Sequence, residues 1–183
     1  GDLVVEDALC RVRSFRLEHH GPCLGYRVDE KSVRRVNKDK LEESGLSTGP
    51  WVGQLLGDAS GEVEVGERSF ILDELRAELI EEKPGESIAY LTDFRCTGME
   101  REKLVQWLKG CRTLVCEAQY LDADRELAER HHHMTARETG ALAKAAGVER
   151  LEVFHFSGRY DRVGLEALKA EAESVFRSRR SIT

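Results

Sequence analysis

Apolar and polar residues alternate loosely at the start of the chain. Leu3 and Val5, then Cys10, Val12, Phe15 and Leu17, trace two strands joined by the turn-like Glu6-Asp7, and the run 23–28 resumes as a third. Residues 60–72 repeat the pattern between glycines (Val63, Val65, then Phe70, Leu72) and predict a hairpin. Lys83-Pro84-Gly85-Glu86 is a turn. Beyond it the pattern changes. Three short apolar runs, 88–92, 113–116 and 151–154, are separated by helix-like segments at 100–109 and 136–146. Leu104, Val105 and Leu108 recur at helical spacing before Gly110, and Leu142 with Ala143 and Ala146 before Gly147. This succession predicts βαβ units. Residues 120–130 are a polar loop or helix, 165–176 form a last amphipathic helix, and Ser178-Arg179-Arg180-Ser181 reads as a frayed tail.

Each apolar run of the second half ends in a residue able to do chemistry: Asp93, Glu117 and His155. In open α/β sheets ligands sit beyond the carboxyl ends of the strands, so two carboxylates and an imidazole converge on one crevice. Taken singly, each reads better as an ordinary polar residue opening a loop; three in succession, with His131-His132-His133 between them, favour a site. That triple histidine lies just before a helix start, because Thr135 and Glu138 form a capping box. A second pair, His19-His20, stands at a strand end before Gly21-Pro22, where a metal-ligand position and a solvated turn are both open readings. Histidine with aspartate is a ligand set for divalent ions such as zinc or manganese.

Between these regions lies a different stretch. Lys31, Arg34, Arg35, Lys38 and Lys40 face three acids over residues 29–40; a short helix closed by Gly45 and a turn carrying an exposed Trp51 follow. We expect residues 29–56 to be an arm inserted into a single domain, its basic cluster either a binding surface or a solvated loop. The net charge of −6 over 183 residues gives no general pull toward nucleic acid and points away from DNA. The sequence shows no membrane-spanning run and no signal-peptide pattern. The five cysteines form no CxxC pair and read as reduced thiols of a cytoplasmic protein; nucleophilic catalysis by Cys111 or Cys116 has no base partner in view. Opening on Gly1 rather than Met, the chain reads as a segment that starts inside a domain, or as one that has been trimmed.

Five short motifs, in order, carry a resemblance: His19-His20-Gly21-Pro22-Cys23-Leu24-Gly25-Tyr26-Arg27, Thr92-Asp93, Cys116-Glu117-Ala118-Gln119, His133-Met134-Thr135 and His155-Phe156-Ser157-Gly158-Arg159-Tyr160. The chain resembles the C-terminal portion of ribonuclease Z, a metallo-β-lactamase-fold phosphodiesterase. The resemblance implies an α/β fold, the C-terminal portion of an αββα sandwich (α+β), with an inserted arm. It implies that His19, Asp93 and His155 are ligands in a site for two divalent ions, zinc first, with manganese or magnesium as alternatives. It makes Glu117 and His133 a pair that assists proton delivery to the leaving oxygen. It casts Lys31, Arg34, Arg35, Lys38, Gly49 and Pro50 as an exosite for precursor tRNA, in a cytoplasmic homodimer.

The departures narrow this. Phe94, Cys116, Gln119 and Met134 alter the family's motifs, and its His-x-His-x-Asp-His motif appears nowhere in these residues. The three remaining ligands cannot close a two-metal site, so the segment alone is expected to be inactive and to be completed from upstream. Two alternatives stand beside 3′ processing of precursor tRNA: hydrolysis of a small phosphodiester or ester, and a non-catalytic remnant that binds RNA or a partner.

Overall fold

A computed structural model describes residues 1–178, so the predicted tail from Arg179 onward lies outside the described residues. The chain begins with three antiparallel strands, β1 (Asp2–Glu6), β2 (Cys10–Glu18) and β3 (Pro22–Glu30). Residues 31–85 then form a compact unit of their own. It contains β4 (Val33–Val36), α1 (Lys38–Glu43), α2 (Trp51–Leu56), β5 (Glu62–Val65), β6 (Arg68–Ile71), α3 (Leu72–Leu79) and β7 (Ile80–Lys83). The larger unit resumes with β8 (Ser87–Leu91), α4 (Gly98–Leu108), β9 (Thr113–Glu117), a 3-10 turn and α5 (Arg125–His131), α6 (Ala136–Ala146), β10 (Arg150–Phe154) and α7 (Arg162–Arg177).

The larger unit is built on one six-stranded sheet, ordered β1-β2-β3-β8-β9-β10. Its first four strands are antiparallel; β8, β9 and β10 are parallel, as expected for strands joined through helices. Alternation decides the faces. Ala89 and Leu91 are buried with Leu104, Leu108, Leu114 and Leu142, so α4 and α6 cover one side of the sheet. On the other side Leu24, Tyr26, Ile88 and Tyr90 stay exposed. Helix α7 packs on α6 so closely that a Cβ at Gly140 would lie 2.3 Å from the Ala172 carbonyl oxygen. Gly25 is fixed in the same way, because a side chain there would meet Leu91.

Arg27, almost fully buried, ties the sheet to α4. Its Nη1 donates to the carbonyls of Trp107 (2.8 Å) and Lys109 (3.0 Å), and its Nε donates to Asp29 (2.8 Å). These are orphan carbonyls at a helix end, satisfied by a cation. Burial disfavours the Asp29 carboxylate, but hydrogen bonds from Arg13 and Arg27 outweigh it and hold its pKa below the ordinary value. The stability this contributes is therefore present above the unfolded pKa and lost as pH falls through the lower folded one. Arg27→Met is expected to cost about 2–4 kcal/mol, read as a lower urea midpoint, and to raise the acid-side titration of Asp29.

The smaller unit has its own core of Leu41, Trp51, Leu55, Val63, Val65, Leu72, Leu75 and Leu79. It differs from expectation in two ways. It runs over 31–85, where the sequence suggested an arm over 29–56, because β4 pairs with β7 and so ties its two ends together. Trp51 is buried rather than exposed: it starts α2 and donates its indole N–H to the Ser47 carbonyl. No helix among the described residues is long and apolar enough to cross a membrane.

Candidate active site

The parallel strands set the geometry. In register, Leu91 lies beside Cys116 and Phe154 beside Glu117, so β8, β9 and β10 finish at one edge. Asp93 follows β8 by two residues, Glu117 ends β9, and His155 follows β10. Asp93 (φ +53°) and His155 (φ +57°) both adopt the left-handed region. Non-glycine residues enter it at a cost of about 1–3 kcal/mol, and such strain clusters at functional sites. Asp93 Oδ1 and His155 Nε2 are 3.2 Å apart. One donor atom from each of Asp93, Glu117, His133 and His155 lies within 4.8 Å of all the others.

These four are not equivalent. Glu117 is fully buried, and its carboxylate is committed. It accepts from the Asp93 amide (2.6 Å), the Met134 amide (2.7 Å) and His133 Nδ1 (3.1 Å to each oxygen). A carboxylate oxygen accepts, so His133 carries its hydrogen on Nδ1 and leaves Nε2 uncommitted. Thr139 on α6 donates to the Glu117 carbonyl at 2.6 Å, and the capping box of Thr135 and Glu138 fixes the start of that helix just past His133. Glu117 thus serves as the anchor that orients the His133 ring.

His19 stands outside the four-residue group. Its ring lies 4.9 Å from that of His133, and its Nδ1–H donates to the His132 carbonyl at 3.1 Å. Metal-binding histidines commonly donate one ring N–H to a carbonyl in this way, leaving the other nitrogen for the ion. His20, beyond it, has its pKa lowered by desolvation and by the neighbouring histidines, His132 first.

The residues fit divalent metal. Two ligands on one tetrahedral ion with bonds of 2.0–2.1 Å lie about 3.3 Å apart, the spacing of Asp93 Oδ1 and His155 Nε2. Both side chains are part-exposed and face each other, whereas Glu117 has little capacity left to bind an ion. The buried cysteines Cys96 and Cys116 offer no thiolate: burial raises Cys96 to about 12, and burial followed by the Glu117 charge raises Cys116 far above its ordinary value.

One contributor carried no signal in the sequence. The Arg95 amide donates to the Glu18 carbonyl (2.9 Å), beside His19, and its guanidinium donates to the His133 carbonyl (3.1 Å) and Glu129 (2.9 Å). Two residues past Asp93, it thereby links three loops of the site. An isolated arginine in a loop gives no periodicity or spacing by which to find it.

The candidate substrate-binding residues lie in the 31–85 unit, and their charge is largely spent. Arg34 pairs with Asp58 (2.7 Å) and Arg35 with Glu81, whose pKa the Arg35 hydrogen bond lowers. Lys31 and Lys38 are exposed; Lys38 opens α1, while Gly49 and Pro50 form the turn into α2. Across residues 31–85, twelve Asp and Glu stand against eight Lys and Arg.

Residues 76–156 match the model of a beta-lactamase superfamily domain. A ribonuclease Z from Deinococcus radiodurans is 39% identical over 173 residues, which cover 94% of this chain and 52% of that protein. The chain spans about half the length of the curated relatives it matches. The fold is also that of solved structures. YhfI from Bacillus subtilis, a metallo-beta-lactamase fold protein, aligns at a TM-score of 0.55 with 14% identity, over 96% of this chain and 46% of that one. The short form of human tRNase Z aligns at 0.51 with 23% identity, over 86% and 40%.

Proposed function

We propose that the chain, which is similar to a ribonuclease Z over 94% of its length and matches a beta-lactamase superfamily domain over residues 76–156, belongs to the ribonuclease Z-like members of the metallo-β-lactamase-fold family, that it supplies part of a metal-dependent phosphodiesterase site and that the full-length protein removes the 3′ trailer of precursor tRNA. The observation that carries the reading is the 3.2 Å approach of Asp93 Oδ1 to His155 Nε2 beside the buried Glu117–His133 pair. Asp93 and His155, with His19 Nε2, would hold two divalent ions, zinc in the first place, together with ligands from outside these residues. When bound, the ions would activate water and offset charge on the phosphate. Glu117 holds the proton on His133 Nδ1, and His133 Nε2 is the atom that passes a proton to the leaving oxygen. Homodimerisation belongs to the same reading.

One observation favours a second reading, a small phosphodiester substrate: Arg34 and Arg35 are already paired, in a unit with more acids than bases. Salt separates the two. The full-length protein should be assayed on precursor tRNA with a 3′ trailer and on bis(4-nitrophenyl) phosphate, at 50 and 200 mM salt. If two or three phosphate contacts hold the RNA, its kcat/KM falls about tenfold across that range, while small-substrate turnover barely moves. Turnover of the small ester alone would replace the first reading with the second. Turnover of neither would sink both.

A further inference from the structure

We propose that His20 and His132 form an accessory site for a borderline divalent cation such as Ni²⁺ or Cu²⁺, separate from the Asp93–His155 site. The two exposed rings come from different loops, 112 positions apart in the chain, and their centroids lie 4.5 Å apart at an interplanar angle of 68°. An ion bonded at 2.0–2.1 Å to an imidazole nitrogen stands about 3.2 Å from that ring's centroid, so two rings in adjacent positions at 90° have centroids about 4.5 Å apart, and about 5.2 Å at the tetrahedral angle. The observed spacing matches two imidazoles in adjacent positions at 90° on one ion; it is also that of an edge-to-face ring pair, and metal binding distinguishes the two. Neither ring makes a hydrogen bond or ion pair among the described residues, so their nitrogens are uncommitted, in contrast to His133 and His19.

The surroundings suit a cation with water completing its shell. A cavity of about 440 Å³ that His132 lines, though His20 does not, is also lined by His19, Glu18, Glu100 and Arg16. His132 is held in place by its backbone. It caps α5 in the left-handed conformation (φ +56°), which directs its carbonyl to His19 Nδ1. The remaining histidine, His131, stacks on Tyr120 and is not part of the pair. Imidazoles select borderline transition metals over Mg²⁺ or Ca²⁺. An ion here would tie the loop after β2, which carries His19, to the turn after α5, which carries His133.

The test is metal binding, with Ni²⁺ by equilibrium dialysis and metal analysis on the full-length protein. Asn is the suitable replacement because it tolerates the left-handed backbone of His132. The wild type should bind one equivalent more than His20→Asn and one more than His132→Asn, and His131→Asn should match the wild type. That equivalent should survive in Asp93→Asn/His155→Asn and should be absent with Mg²⁺. Equal binding by wild type, His20→Asn and His132→Asn overturns the proposal. So does loss of the His20-dependent equivalent in Asp93→Asn/His155→Asn, since the pair would then be an extension of the main site. If Asp93→Asn/His155→Asn loses nothing while His20→Asn loses one equivalent, the active-site reading fails and this one stands.

Discussion

Replacing His155 with alanine in the full-length protein is expected to abolish phosphodiester cleavage while leaving the fold in place. His155 is about one-third exposed and its imidazole meets Asp93 at 3.2 Å, so few packing contacts are lost. On the proposed reading, what is lost is one metal ligand. Lewis-acid stabilisation is worth several kcal/mol, and each 1.36 kcal/mol is tenfold, so the rate should fall by about 10³-fold or more. The left-handed backbone at 155 suits Asn better than Ala, and His155→Asn gives a second variant in which strain is not the cause. Both should keep the wild-type circular dichroism and bind less metal. Unchanged turnover in either would remove His155 from the ligand set.

Glu117 is the second position of large effect, and here stability and chemistry fall together. Glu117→Ala strips the acceptors from the Asp93 and Met134 amides and from His133 Nδ1 in a fully buried setting. The two stranded backbone donors, at about 1–3 kcal/mol each, predict a loss of about 2–6 kcal/mol, visible in the denaturant midpoint. Glu117→Gln is milder but not silent, because its amide nitrogen must face a backbone N–H that needs an acceptor. The cleaner readout is His133→Ala, which leaves Glu117 its two backbone donors. Proton delivery is worth about 10²–10⁴-fold, so RNA cleavage should slow by that factor. A nitrophenyl phosphodiester, whose leaving group needs no proton, should be nearly unaffected. Equal loss on both substrates would show that His133 acts in another way.

The strand-end argument was legible because it depends on topology alone. Parallel strands joined by helices must finish on one side, and Asp93, Glu117 and His155 do so. The capping box was legible for a similar reason: Thr135 and Glu138 act within four residues of each other. The sequence read poorly where the partner is distant. The basic run 31–40 looked like a free electrostatic surface, but Asp58 and Glu81, 24 and 46 positions on, pair with Arg34 and Arg35. Trp51 looked exposed among Gly, Pro and Ser because much of the core cluster it joins, such as Leu72 and Leu79, lies some twenty or more positions later. The left-handed backbone at Asp93, His132 and His155 had no local cue either, since no glycine marks those positions.

That last feature bears on how such a site changes over generations. Asp93 and His155 sit where glycine would be more comfortable, so drift toward the easier residue gains stability and removes chemistry in the same step. A lineage that stopped needing the reaction would have a downhill path at these two positions. An acid and an imidazole at these positions, in contact, come at the expense of a firmer fold.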